Sequence, residues 1–118
     1  MEHSLKITKA FKLESAHWLP LVPATHKCSR MHGHTYRIEL TFSGPLVDGM
    51  VLDFFDVDAA FAPLHTQLDH HTLNEVIENP TAENIAVWIF DRVKQILPQL
   101  SDVAVFETPD CRAAYTGV

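Results

Sequence analysis

His32-Gly33-His34-Thr35-Tyr36-Arg37-Ile38-Glu39-Leu40-Thr41-Phe42 reads as a β-strand that ends in a pair of histidines. Tyr36, Ile38, Leu40 and Phe42 alternate with Thr35, Arg37, Glu39 and Thr41, the period-two pattern of one apolar and one solvated face. Side chains two apart on a strand point the same way. Carried backward, the parity puts His34 and His32 on the apolar face. A core strand has no reason to aim two imidazoles inward unless something satisfies their nitrogens.

Toward the N-terminus a second alternating run appears. Leu5, Ile7, Phe11, Leu13, Ser15 and His17 share one parity, with only Lys9 out of character. This predicts a strand whose inward row also ends in a histidine. Antiparallel pairing of the two strands would bring His17 to His32 and His34.

On the C-terminal side, Ser43-Gly44-Pro45 and Asp48-Gly49 mark a turn before a short extended run, Met50 to Phe54. Val57, Ala60, Phe61, Leu64 and Leu68 then follow helical spacing, with Asp56 as the expected N-cap. Pro63 inside that pattern predicts a kink or a late start. A second helix is expected from Asn79-Pro80-Thr81, capped by Asn79 or Thr81 and ended by Pro98. Ile85, Trp88, Ile89, Val93, Ile96 and Leu97 lie along one side of it. Two short strands, about 103–108 and 112–115, close the chain around Pro109-Asp110. Strand, strand, helix, helix, strand, strand is the order of an α+β domain: an antiparallel four-stranded sheet with both helices on one face. Its edges must be covered, or paired between subunits.

A length of 118 residues fits a single domain spanning residues 1–118, with little room for an enclosed pocket, which leaves a site between subunits open. The composition, 47% hydrophobic and 20% charged, is that of an ordinary globular fold. A net charge of −6 argues against nucleic-acid binding through a basic face and leaves Lys27 and Arg30 as the local positive patch. No apolar run approaches the roughly 20 residues of a membrane span. Met1-Glu2-His3-Ser4-Leu5-Lys6 lacks the apolar core of a signal peptide. Two cysteines, Cys28 and Cys111, are too few for a disulfide framework, which fits a reducing cytoplasm.

Eight histidines are a heavy load for this length, and they are grouped. Three neutral imidazoles converging in an apolar setting suit zinc, with a fourth position left open. Against this, His-x-His is a common accident, and three satisfied histidines would look the same. Cys28 has two readings: a fourth ligand closing a structural site, or a thiolate nucleophile or base favoured by Lys27, Arg30 and the metal charge. Cys111 has no such surroundings and reads as a plain small apolar residue. In Asp69-His70-His71, a carboxylate beside an imidazole can fix its tautomer, provided that a turn brings the two together. His65 and Asp69 share a helical face and offer a rival second metal site. Glu107 continues the parity of Val103 and Val105. Either it is an exposed strand end, or it is a buried carboxylate suited to a planar pair of N–H donors.

Taken together, these segments resemble the 6-pyruvoyltetrahydropterin synthase and 6-carboxytetrahydropterin synthase family. The resemblance runs through Phe11-x-Leu13-Glu14-Ser15-Ala16-His17 and Cys28-Ser29-Arg30-Met31-His32-Gly33-His34. It continues in Leu68-Asp69-His70-His71, Asn79-Pro80-Thr81-Ala82-Glu83-Asn84 and Glu107-Thr108. It implies the tunnelling fold (ββααββ), in which the sheets of several subunits join into a barrel, usually as a dimer of trimers. It also implies 7,8-dihydroneopterin triphosphate as substrate.

By the same resemblance His17, His32 and His34 are the zinc ligands, and Cys28, Asp69 and His70 the proton-transfer triad. Glu107 is the pterin anchor, and Thr81 to Glu83 line the pterin pocket. Lys27 and Arg30 are candidates for the triphosphate by charge and place alone. Three residues separate Cys28 from His32, as in the bacterial enzymes of the queuosine pathway that form 6-carboxy-5,6,7,8-tetrahydropterin and release acetaldehyde and triphosphate. Animal pyruvoyl-forming enzymes have a longer gap, and a branch that cleaves dihydroneopterin carries glutamate near the cysteine position. The alternatives are the pyruvoyl-forming reaction, a non-catalytic zinc-binding oligomer with Cys28 as fourth ligand, and a pterin-binding regulator. The segment Thr108-Pro109-Asp110-Cys111-Arg112-Ala113-Ala114 departs from the family pattern.

Overall fold

β1 (Leu5–His17) and β2 (His32–Gly44) pair antiparallel along their whole length in the computed structural model, which describes residues 5–118. The N-terminal stretch read above for a leader begins outside the described residues. The register sets Phe11 against Ile38, Leu13 against Tyr36, Ser15 against His34 and His17 against His32. The two inward rows therefore lie side by side, and both end in histidine at the same end of the sheet.

α1 (Phe54–Leu68) begins earlier than the spacing suggested. Asp53, not Asp56, is the N-cap: its backbone is extended and its carboxylate accepts the Phe55 N–H at 2.9 Å. Asp56 instead sits in the first turn, where a negative charge complements the helix dipole. The expected extended run from Met50 to Phe54 is absent. Val47 and Met50 exchange two backbone hydrogen bonds across a tight turn, and Phe54 is already helical. Pro63 lies inside the continuous helix. The proline removes a donor from the carbonyl of Ala59, an exposed residue, where water can take the donor's place.

α2 (Ala82–Ile96) starts at Thr81, whose hydroxyl accepts the Asn84 N–H at 3.1 Å. Asn79 supports the same turn through its carbonyl, which accepts from Thr81 N and from the Asn84 amide. The buried stripe of α2 is Ile85, Ala86, Ile89, Phe90 and Val93, with Trp88 partly buried. Ile96, expected on that stripe, is 59% exposed in the last turn.

β3 (Leu100–Thr108) and β4 (Cys111–Tyr115) complete an antiparallel sheet in the order β1-β2-β3-β4. One face carries Leu13, Tyr36, Ile38, Leu40, Phe42, Val103 and Val105 into a core shared with α1 and α2. The opposite face is polar and holds the Thr8–Thr41, Thr35–Glu14 and Arg37–Glu39 contacts. Two short 3-10 turns, Lys27–Ser29 and Leu73–Glu75, were not foreseen. Among the described residues no helix is long and apolar enough to cross a membrane.

Candidate functional site

At the histidine end of the sheet the ring nitrogens of His17, His32 and His34 come within 4.8 Å of one another. His17 is 1% exposed, and the other two are half-buried. Backbone carbonyls set two of the tautomers. His17 Nδ1 donates to Pro80 O at 2.7 Å, and His32 Nδ1 donates to Arg30 O at 2.7 Å. Each ring is left with its Nε2 lone pair, and these two nitrogens face each other at 3.0 Å. Two lone pairs at that distance repel unless a cation or proton lies between them. His34 Nε2 is buried without a partner. Buried polar atoms are rarely left unmatched, so this one asks for a ligand.

Burial also drives the His17 and His34 pKa values below the usual 6.5, which keeps the rings neutral and able to coordinate. The three histidines are thus positioned to bind a metal ion, and an all-imidazole donor set with a free fourth direction fits a zinc site. The donor group does not include Cys28.

Tyr36, missed as a site residue, continues the row of His32 and His34. Its hydroxyl lies 3.2 Å from His17 Nδ1. Burial pushes its pKa well above the usual 10, so it remains a neutral phenol. Its place in the inward row was a usable signal. The carbonyl of Pro80 was not, because every residue has one.

Glu107 stands between Phe106, which faces Arg112, and Thr108, which faces Cys111, at a register shift in the β3–β4 pairing. Such a bulge re-aims a side chain. The carboxylate is close enough to partly oppose the pKa depression of His17 and His34. It also lines a cleft of about 170 Å³ with Ala82, Glu83, Cys111, Arg112 and Ala113. Thr81 is engaged as the α2 cap, one residue from that lining.

Asp69 and His70 form a dyad at the outer edge of β1. His70 Nδ1 donates to Asp69 Oδ2 at 2.8 Å, and Asp69 Oδ1 accepts the Glu14 N–H at 2.9 Å. The turn that this pairing required is a left-handed backbone at His70, φ 57°, locked by a 2.7 Å bond from His70 N to Glu14 O. Chiefly the Glu14 N–H, and then His70, hold the Asp69 carboxyl below its usual range. Both oxygens of Asp69 are thereby engaged, and His65 Nε2 donates to Lys12 O at 2.9 Å. The contacts of Asp69 with Glu14 and of His65 with Lys12 each tie the end of α1 to β1.

Asn74 extends the same edge, exchanging two bonds with the Trp18 backbone just beyond His17. His34 and His70 line one open cleft of about 540 Å³ with Glu14 and Thr35, separate from the Glu107 cleft. Cys28 sits half-buried in the 3-10 turn between the ligand-bearing strands, flanked by exposed Lys27 and Arg30. It belongs to neither lining.

Residues 6–118 match the family described as 6-pyruvoyl tetrahydropterin synthase. A Synechocystis protein named 6-carboxy-5,6,7,8-tetrahydropterin synthase is 38% identical over 119 residues, covering 92% of this chain and 91% of that protein. A Pyrococcus furiosus protein named dihydroneopterin monophosphate aldolase is 40% identical over 68 residues, 58% of this chain and 60% of that one. The solved 6-pyruvoyl tetrahydropterin synthase of Caenorhabditis elegans superposes with a TM-score of 0.90 at 24% identity, covering 99% of this chain and 98% of the other, a likeness of fold. With its ββααββ order and three-histidine cluster in view, the chain belongs to the 6-pyruvoyl tetrahydropterin synthase family.

Proposed function

We propose that this chain is a zinc-dependent lyase that converts 7,8-dihydroneopterin triphosphate and one water to 6-carboxy-5,6,7,8-tetrahydropterin, acetaldehyde and triphosphate. A single cytoplasmic domain, residues 1–118, would carry the activity and serve queuosine synthesis. The observation that carries the reading is the convergence of three imidazole nitrogens, one of them buried and unpartnered. The carboxy product is supported by the full-length relative from Synechocystis.

Zinc held by His17, His32 and His34 would supply Lewis acidity at the side-chain oxygens of the substrate. The remaining chemistry falls to the chain itself. Cys28, as thiolate, takes a proton from the substrate side chain. His70, oriented by Asp69, moves protons at the neighbouring positions. Glu107 accepts hydrogen bonds from the N–H edge of the pterin, with Thr81 at the rim of its cleft, and Lys27 and Arg30 hold the triphosphate. His70 and Glu107 line separate clefts, which supports a site completed by a neighbouring copy in a dimer of trimers. The exclusion of Cys28 from the histidine donor group favours an open site over a closed structural one.

The test is mass-spectrometric product analysis of purified protein supplied with 7,8-dihydroneopterin triphosphate. The expected products are 6-carboxytetrahydropterin, acetaldehyde and triphosphate. A 6-pyruvoyl product, or side-chain cleavage without triphosphate release, would overturn the assignment.

A further inference from the structure

Cys28 lies in a single 3-10 turn, Lys27–Ser29, closed by only two backbone bonds of its own, Ser29 N to His26 O at 3.0 Å and Arg30 N to Lys27 O at 3.3 Å. Further ties join the turn to its surroundings. Leu19 N donates to Cys28 O at 2.8 Å, tying the turn to the end of β1. His32 Nδ1 donates to Arg30 O at 2.7 Å, tying it to the start of β2. Ser29 Oγ donates to Ala24 O at 3.0 Å. The Cys28 N–H itself is taken by the ring of His26, whose Nδ1 accepts it at 3.0 Å, while His26 O accepts from Ser29 N at 3.0 Å. His26 is therefore the N-cap of the turn that bears the thiol, a position usually given to Ser, Thr, Asp or Asn. Two of these ties run to the ligand-bearing strands and follow from the sheet. The ring of His26 is the side-chain tie on Cys28 itself, and its bond is to that peptide, not to a ligand histidine.

We propose that His26 is the positioning residue of Cys28, fixing the thiol-bearing turn relative to the metal-ligating strands by accepting the Cys28 peptide N–H. The inference rests on the reading of Cys28 as the proton-transferring thiol. Without an acceptor at residue 26 the Cys28 peptide can rotate, and the thiol leaves its working geometry for part of the time. The loss falls on the chemical step, because His26 has no part in holding the ring system or the metal. A small displacement near a reacting centre can cost a large factor in rate.

The test compares His26→Ala, His26→Asn, Cys28→Ala and the His26→Ala/Cys28→Ala double variant, each assayed with 7,8-dihydroneopterin triphosphate and analysed for bound metal. His26→Ala is expected to keep its metal, with kcat down about tenfold, the rate equivalent of one lost cap, and KM little changed. His26→Asn, which keeps a short acceptor, is expected to restore the rate. The double variant should be no slower than Cys28→Ala, since both changes act through one group.

Iodoacetamide labelling of Cys28, followed by peptide mass spectrometry, gives a readout without turnover. The alkylation rate should depart from wild type in His26→Ala and return in His26→Asn. Wild-type turnover and labelling in His26→Ala, a folded His26→Asn as slow as the alanine variant, or additive losses in the double variant would each overturn the proposal. If His26→Ala loses its metal or unfolds, the rate of His26→Asn decides. Undiminished turnover in Cys28→Ala is a different failure: it removes the catalytic reading of Cys28, and the proposal with it.

Discussion

An imidazole whose Nδ1–H is tied to a carbonyl can offer a metal only its Nε2, and His17 and His32 are tied in that way. Removing one of three ligands leaves too few for a stable site, so His32→Ala should lose bound zinc, as read by metal analysis. Full occupancy in that variant would refute the ligand assignment. Cys28→Ala should behave oppositely, keeping zinc and melting temperature while turnover drops by about 10²–10⁴-fold, the usual contribution of an acid–base group. Zinc release and unfolding in that variant would instead support the closed structural site.

Asp69 carries a pH signature. Its folded pKa lies below the usual 3.8, so the stability it contributes is present above that value and is lost as pH falls through the lower, folded pKa. Denaturation of wild type and Asp69→Asn should therefore differ most near neutrality and converge in strong acid. A gap that stays constant with pH would mean that the Asp69 charge does not stabilise the fold.

Element by element, register and caps decide what the side chains can do. A slip of one residue between β1 and β2 would turn His17 to the solvated face and dismantle the cluster. The apolar rows that end in the histidines hold that register. The bulge near Glu107 is the opposite device, a local break in register that frees one carboxylate from the regular alternation of β3. At the start of α1, Asp53→Ala should remove the cap and cost about 1 kcal/mol in urea unfolding, with zinc content unchanged. Asp56→Ala should cost less, because that carboxylate acts only on the helix dipole. Equal losses would restore the expectation drawn from spacing.

For the whole molecule, four strands with two helices on one face leave the other face polar and open. Assembly through the sheet edges would turn such faces inward around a shared lumen. We expect the active species to be an oligomer, by light scattering with a parallel assay. A fully active monomer would show that one chain completes its own site.

The amino-acid sequence by itself determined the two alternating strands and the inward parity of His17, His32 and His34, because a period of two is a local property of an extended chain. It also carried the helical stripes, Ile96 excepted, and the family resemblance. Only the tertiary structure decided between Asp53 and Asp56, and between Asn79 and Thr81, since a cap is defined by which oxygen meets the free N–H groups. It also decided that Pro80 O orients His17, that Glu14 O holds His70 in its left-handed backbone, and that His26 holds the Cys28 peptide. These are contacts to backbone groups, which every residue carries, so residue identity cannot reveal them and only the path of the chain can.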